Sequence, residues 1–227
     1  MENMERMPTG IPGFDGLIGG GFVPRSVNLV SGGPGCGKSI FCMQFLWNGS
    51  TKFNQPGLFI SFEENVTDLK EDAKAFGWDF DSIEHNKVHF MYYHPYDVMD
   101  VHEQIAEMIK KTGAKRVVFD STSVYGMTLE SKYEVRKALY ELSEELKKHD
   151  CVSILTSEIV ESDMAGGSKY SRFGVEEFLA DSIINISFEG IGEIPRNIKV
   201  RKMRRTNINS NVHSLKIDSE GLSVHIL

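Results

Sequence analysis

The chain has 227 residues, 41% of them hydrophobic and 25% charged, so it can bury a core without disulfides or a structural metal, and we expect one domain over 1–227. The net charge of −7 makes nucleic-acid binding unlikely without excluding it, since nucleic-acid binders usually present a basic surface. Three cysteines without metal-ligand spacing, and the lack of a signal-like or membrane-length apolar run, favour a cytoplasmic protein with reduced thiols.

The first predicted strand, 26–30, leads into the segment GGPGCGKS at 32–39. This segment fits G-x-x-x-x-G-K-[ST], a loop whose glycines let backbone N–H groups turn toward phosphate oxygens. Lys38 is then the cation for the β- and γ-phosphates, and the Ser39 hydroxyl is a ligand for Mg²⁺. A helix predicted over 40–47 follows, and its N-terminus would face the anion. The residues expected to contact ATP or ADP here are Gly33, Pro34, Gly35, Cys36, Gly37, Lys38, Ser39 and Ile40.

Strand and helix patterns alternate along the rest of the chain. Apolar runs of strand length lie at 57–62, 87–92, 115–120, 151–156 and 182–186. Segments with helical spacing or helix-ending glycines lie at 65–76, 101–112 and 133–148. This alternation predicts an α/β fold with a mostly parallel sheet flanked by helices on both faces. Strand-like segments with short turns, at 197–204, 213–217 and 222–226, predict a C-terminal antiparallel extension.

Ligands of open parallel sheets bind beyond the carboxyl ends of the strands, where this chain places polar residues. Asp120 ends the apolar strand 115–120, and an acid at this position supports Mg²⁺ in nucleotide-binding sheets. Glu63 and Glu64 follow the preceding strand and are candidates to polarise the water that attacks the γ-phosphate. Ser157 and Glu158 end a further strand and are candidates to sense the γ-phosphate.

Each of these acids also has a structural interpretation. Asp120 could cap the turn that follows it. Glu63 and Glu64 could lie in the first turn of the helix predicted over 65–76 and interact favourably with its dipole.

Together these segments resemble the KaiC family of RecA-like ATPases over 7–227. The matching segments are TGIPGFD at 9–15, GGG at 19–21, VNLVSG at 27–32, FEE at 62–64, FGWD at 76–79, DS at 120–121, TSE at 156–158, FGVEEF at 173–178 and KMR at 202–204. The FEE, FGWD and FGVEEF segments are much more specific to the family than the phosphate loop. The resemblance implies a RecA-like P-loop core and a slow, Mg²⁺-dependent ATPase. It also implies a homo-oligomeric ring, expected to be a hexamer, with nucleotide at the subunit interfaces and a regulatory output.

The resemblance further implies that Lys202 and Arg204 reach the γ-phosphate bound by the neighbouring subunit. Met203, Thr206 and Asp218 fall near family positions that contact the nucleoside of the neighbour's ATP. Considered without the resemblance, the basic cluster containing Lys202 and Arg204 would instead be a solvated edge strand that deters edge-to-edge pairing.

One departure from the family pattern removes an expectation. The phosphorylated Ser-Thr pair of two-domain members is replaced here by Glu176 and Glu177, so we do not expect phosphorylation at this segment.

Two rival functions remain open from the sequence. The first is a DNA-dependent recombination or repair ATPase of the same fold, which the acidic charge disfavours. The second is a nucleotide switch that does not hydrolyse ATP and instead controls a regulatory protein partner.

Overall fold

The computed structural model describes residues 5–83, 87–94, 101–159, 169–188 and 195–226. The strands in chain order are β1 Val27–Gly32, β2 Gly57–Ser61, β3 Val88–Tyr92, β4 Arg116–Asp120, β5 Val152–Glu158, β6 Ser182–Ser187, β7 Arg196–Met203, β8 Val212–Asp218 and β9 Gly221–His225. The helices in chain order are α1 Phe14–Leu17, α2 Lys38–Lys52, α3 Val66–Lys74, α4 Val101–Thr112, α5 Thr122–Met127, α6 Lys132–Lys148 and α7 Glu176–Leu179.

The described strands form one sheet in the order β3-β2-β4-β5-β1-β6-β7-β8-β9. The first six strands in this order, β3, β2, β4, β5, β1 and β6, are parallel to one another. Strands β7, β8 and β9 extend the sheet by antiparallel pairing. The predicted α/β fold, with a mostly parallel sheet and an antiparallel C-terminal extension, is confirmed. Because β1 lies inside the sheet and is buried along its whole length, the loop that follows it emerges at the middle of the carboxyl edge.

Apolar side chains cover both faces of this sheet, as the continuous apolar strands predict. On one face, Phe14 and Phe41 pack edge to face with ring centroids 5.2 Å apart and join α1 to α2. On the other face, α6 buries Leu139 and Leu142 at helical spacing. The two cores hold the sheet from both sides and leave its carboxyl edge open to a ligand.

Several boundaries differ from those predicted. Helix α2 begins at Lys38, inside the phosphate-binding motif, and strand β5 extends to Glu158. Helix α5 was not predicted, because six residues are too few to show a periodic pattern. Strand β7 pairs with β8 only over Arg196–Lys199, whereas the stretch that carries Lys202 pairs with β6 alone and is locally an edge, as the edge-strand interpretation expected. No helix among the described residues is long and apolar enough to cross a bilayer.

A fully buried arginine joins the N-terminal segment to the sheet. The Arg116 guanidinium, at the start of β4, donates hydrogen bonds to Pro8 O at 2.6 Å, to Phe45 O at 2.8 Å and to Gln55 Oε1 at 2.8 Å. It also lies 4.5 Å from the centre of the Phe45 ring. Burial lowers the pKa of Arg116 to about 10. Helix α2 leaves room for this group at Gly49, where a Cβ atom would overlap Arg116 Cδ.

We therefore expect Gly49→Ala to lower the free energy of unfolding by about 1–3 kcal/mol, because the held guanidinium cannot move aside without losing hydrogen bonds. Urea denaturation followed by circular dichroism measures the change. Gly16→Ala is the matched control, since Gly16 is helical and exposed and the nearest atom to its Cβ would be Ile226 Cδ1 at 3.9 Å. Equal stability of the two variants would contradict this account of Arg116.

Candidate active site

The phosphate loop lies between β1 and α2. Gly35 and Gly37 adopt φ values of +67° and +112°, a region that residues with a Cβ rarely enter. The Lys38 side chain folds back along the loop and donates hydrogen bonds to Gly32 O at 3.2 Å and Gly33 O at 3.0 Å. Its ammonium group therefore lies against the loop that would receive phosphate, at the N-terminus of a 15-residue helix.

The two residues predicted to hold Mg²⁺ lie side by side. Ser39 Oγ donates a hydrogen bond to Asp120 Oδ2 at 2.9 Å, and Thr156 Oγ1 donates one to Asp120 Oδ1. A hydroxyl and a carboxylate are the hard oxygen ligands that Mg²⁺ accepts alongside water and phosphate oxygens, so the residues fit this ion. The capping interpretation of Asp120 is wrong, because Ser121 is the N-cap of α5 and accepts a hydrogen bond from the Val124 N–H.

Glu63 lies beside this pair. Its Oε1 accepts a hydrogen bond from Ser121 Oγ, the residue next to Asp120. Burial raises the pKa of Glu63, and the neighbouring Asp120 carboxylate raises it further. Burial and Asp120 also raise the pKa of Glu64. Helix α3 begins at Val66, so Glu63 and Glu64 precede it and do not form its first turn.

An aromatic cluster fixes the strand end that carries Glu63. The Phe62 ring lies 4.7 Å from that of Phe119, 5.4 Å from that of Tyr93 and 5.5 Å from that of Tyr125, between ring centroids. Because Phe62 is fully buried in this cluster, the direction in which the next residue leaves the strand is restricted.

Lys38, Ser39, Glu63 and Glu64 line one cleft of about 500 Å³, a volume typical of small-molecule sites. Its lining residues, from the phosphate loop, α2, two strand ends and α3, are Pro34, Gly35, Gly37, Lys38, Ser39, Ile40, Met43, Glu63, Glu64, Asp72, Ala75, Phe76 and Glu158. The Cys36 thiol does not line it; this side chain is buried beneath the loop. Sequence reasoning missed Met43, Asp72, Ala75 and Phe76 because it considered strand ends alone. The FGWD segment that includes Phe76 was the available signal.

The two residues expected to sense the γ-phosphate have different positions. Glu158 lines the cleft, and its Oε2 lies 3.8 Å from Arg172 Nη1. The Ser157 hydroxyl is fully buried and donates a hydrogen bond to Glu176 Oε1 at 3.1 Å. Within this chain, Glu158 is therefore placed for contact with a ligand, and Ser157 supports the strand end from behind.

Lys202 and Arg204 lie at the amino ends of the parallel strands, whereas their own phosphate loop lies at the carboxyl ends. Residue Ile186 pairs with Gly32 at the loop end, whereas Ser182 pairs with Met203 at the other end of β6. Four residues of strand separate these positions by about 13 Å. The structure therefore does not bring these two cations together with the cleft of the same chain.

The carbonyl groups of one short segment hold Lys202. Its Nζ donates hydrogen bonds to Glu177 O at 3.0 Å and Ala180 O at 2.7 Å. Burial lowers the pKa of Lys202, and the Arg204 charge lowers it further. Arg204 Nη1 lies 3.4 Å from Asp181 Oδ1. Both cations are thus anchored and do not form a purely solvated surface.

The three expected nucleoside contacts do not form one group within a chain. Met203 ends β7, and the Thr206 hydroxyl beyond it accepts a hydrogen bond from Arg6 Nη1 at 2.7 Å. Asp218 ends β8 at the phosphate-loop edge, where Lys216 Nζ lies 3.0 Å from its Oδ2.

Comparison with known proteins shows the family of this chain. The family model described as "ATPase: KaiC" matches residues 7–227. The chain belongs to the KaiC ATPase family. A UPF0273 protein of Methanocaldococcus jannaschii is 32% identical, over 98% of this chain and 97% of that protein. The circadian clock oscillator protein KaiC of Prochlorococcus marinus is 31% identical over 99% of this chain, which spans only 46% of that protein.

A solved structure of a KaiC-like protein has the same fold as this chain. The crystal structure of a KaiC-like protein from the archaeon Pyrococcus horikoshii matches with a TM-score of 0.88 and 32% identity. The match covers 98% of this chain and 100% of that one. The KaiC-family chain is therefore RecA-like and ATP-binding, and the expected family and fold are confirmed.

The crowded carboxylates of this KaiC-family cleft predict a pH dependence of stability. Folding raises the pKa of Asp120, Glu63 and Glu64 above their usual 3.8 and 4.5. These groups hold protons more tightly when folded, so their contribution to stability is full below those usual values and is lost as pH rises through the raised pKa values.

We expect Glu63→Gln to stabilise the nucleotide-free protein against urea at neutral pH and to have a smaller effect near about pH 4. The neutral amide still accepts the Ser121 hydrogen bond but avoids the cost of a charge beside Asp120. Glu71→Gln, on the exposed face of α3, is the control and should leave the pH dependence unchanged. A Glu63→Gln protein less stable than wild type at neutral pH would contradict this prediction.

Proposed function

We propose that the protein hydrolyses ATP slowly with Mg²⁺ and acts as a homo-oligomeric ring. The observation that carries the hydrolysis is the Glu63 carboxylate, held by Ser121 beside the Ser39–Asp120 pair at the phosphate loop. Family membership supports nucleotide binding, and this juxtaposition adds the groups that turnover requires.

Each group in the cleft has a role that its position supports. Lys38 and the loop N–H groups bind the β- and γ-phosphates, whose oxygens would replace the carbonyls that Lys38 now contacts. Glu63 accepts the proton of the attacking water, and a carboxyl group with a raised pKa is a better proton acceptor than an unperturbed one. Bound Mg²⁺, held by Ser39 and Asp120, would neutralise charge on the phosphates.

The apolar side chains of the cleft suit the nucleoside. Ala75 and Phe76, which follow α3, and Met43 of α2 supply them, with the Asp72 carboxylate also in the lining. They contrast with Lys38 and the carboxylates that follow β2. We assign the base to the apolar side chains and the triphosphate to the loop.

The placement of Lys202 and Arg204 on the edge remote from their own loop supports the proposed ring. A cation there can complete only the site of a second copy, as an arginine finger does when an interface closes. A hexamer with Met203 and Thr206 near the neighbour's nucleoside is the arrangement we propose; Asp218, at the phosphate-loop edge of the sheet, is too far from them to share that contact. The output of such a cytoplasmic ring is regulatory, with ATP and ADP states presented to a protein partner.

Lys38→Ala should abolish ATP binding or lower turnover by about 100-fold or more, because it removes the preorganised cation of the phosphate site. Phosphate release and equilibrium dialysis measure the two quantities. Lys52→Ala, at the exposed end of the same helix, should retain both. Tight ATP binding by wild type without phosphate release would instead favour the rival switch that does not hydrolyse ATP.

Arg204→Ala should retain ATP binding and assembly but lower kcat by about 10³-fold, the lower end of arginine-finger effects. Arg205→Ala removes the same charge one residue away and is the matched control. Light scattering after size exclusion, with and without Mg·ATP, establishes the oligomeric state of each variant. Unchanged turnover in an assembled Arg204→Ala ring would contradict the trans assignment.

A further inference from the structure

The proposed chemistry does not use a carboxylate buried at the start of α7. Glu176 is 1% exposed, and its Oε1 accepts hydrogen bonds from Ser157 Oγ at 3.1 Å and Thr122 Oγ1 at 3.3 Å. Its Oε2 accepts one from the Val175 N–H at 3.1 Å. These donors, the ones found in the described part of the chain, are hydroxyl and backbone groups. A buried carboxylate satisfied by neutral donors is costly to fold, which makes it a candidate for a functional position.

The two hydroxyls lie at or just after strand ends close to the cleft: Ser157 is in β5, and Thr122 begins α5 after β4. Thr122 lies two residues after Asp120, and its Oγ1 also contacts Thr156 O at 2.9 Å. Ser157 lies directly before Glu158, which lines the cleft. Glu176 thus joins the ends of β4 and β5 from behind, so a shift of either strand end changes the hydrogen bonds that this carboxylate accepts.

The other end of the same segment holds the two cations. The carbonyls of Glu177 and Ala180 accept the hydrogen bonds of Lys202 Nζ, and Asp181 contacts Arg204 through both backbone and side chain. One helical turn, α7, therefore lies between the residues behind the nucleotide cleft and the two cations assigned to the neighbouring site.

We propose that Glu176 is a positioning residue that couples the nucleotide in a chain's own cleft to the placement of that chain's Lys202 and Arg204. The coupling rests on the proposed function, in which those cations act on the neighbour's nucleotide. Phosphate in the cleft changes the positions of the β4 and β5 ends. Ser157 and Thr122 transmit the change to Glu176, and α7 carries it to the carbonyls that hold Lys202.

The consequence is a direction of communication around the ring. A loaded subunit sets the cations that it presents to the next site, so binding at one site alters turnover at the next. The coupling has two sites and one connecting element with specific contacts at each end, which an allosteric mechanism requires.

The experiment measures acylation of Lys202 by mass spectrometry, because this reaction reports release of its Nζ from the two carbonyls. Isotope-labelled tracer chains are mixed as a minor component with excess Lys38→Ala chains, whose phosphate sites are disabled. The neighbouring site that faces the tracer's Lys202 is then empty, and the signal reports the tracer's own cleft. The probe is a non-hydrolysable ATP analogue with Mg²⁺.

We expect the analogue to change Lys202 reactivity in the wild-type tracer by about fivefold or more, the lower end of coupling between linked sites. Glu176→Gln should lose this change while still binding the analogue. The matched control is Glu177→Gln, which makes the same chemical change on the same helical turn. Its carboxylate accepts hydrogen bonds from Ser171 Oγ, at 3.2 Å, and from the backbone of Tyr170, and does not contact the cleft strands, so it should keep the change.

Thr122→Val removes one hydrogen bond to Glu176 without altering Glu176 itself. We expect it to reduce the analogue-induced change in Lys202 reactivity. This variant tests the coupling if Glu176→Gln does not fold. Full retention of the change in folded Glu176→Gln or in Thr122→Val overturns the proposal. Equilibrium dialysis of each tracer measures analogue binding, and this separates a failure of the proposed function from a failure of the coupling. Failure of wild type to bind the analogue contradicts the proposed function, whereas binding without a change at Lys202 contradicts the coupling alone.

Discussion

The hydrogen bond from Ser39 Oγ to Asp120 Oδ2 is the interaction on which the rest of the site depends. It joins the first turn of α2 to the end of β4 across 81 residues of sequence. The bond forms because β1 lies inside the sheet and α2 crosses the face toward β4. Without the contact between Ser39 and Asp120, the glycine loop would hold phosphate but would have no acid beside it for Mg²⁺.

Charge crowding around this bond opposes folding and favours ligand binding. Burial raises the pKa of both Glu63 and Asp120. Asp120 and Glu158 raise that of Glu63 further, and Glu158 raises that of Asp120. The nearby cation, Lys38, is turned toward carbonyls. The folded protein therefore holds an incompletely compensated set of carboxylates. Phosphates bound to Mg²⁺ would compensate them, so we expect stability and turnover to respond in opposite directions to neutral substitutions such as Glu63→Gln.

The antiparallel extension decides how the two halves of the proposed site relate. Because β7 runs against β6, its C-terminal residues, Lys202 and Met203, return to the edge remote from the phosphate loop. A chain cannot place these cations in its own cleft, so the proposed trans role requires a second copy. The short turn α7, fixed by Glu176 at one end and bonded to Lys202 at the other, links the two edges within each chain.

The sequence by itself determined the α/β alternation, the phosphate loop and the acid at Asp120. Glycine requirements and apolar strand runs are local properties, so they are visible without tertiary contacts. Tertiary structure alone decided that the segment after α3 brings Ala75 and Phe76 into the cleft, that β8 covers only the first half of β7, and that Glu176 is buried. Each depends on pairing or packing between segments far apart in the chain, and a carboxylate in a sequence gives no sign of the two hydroxyls that bury it.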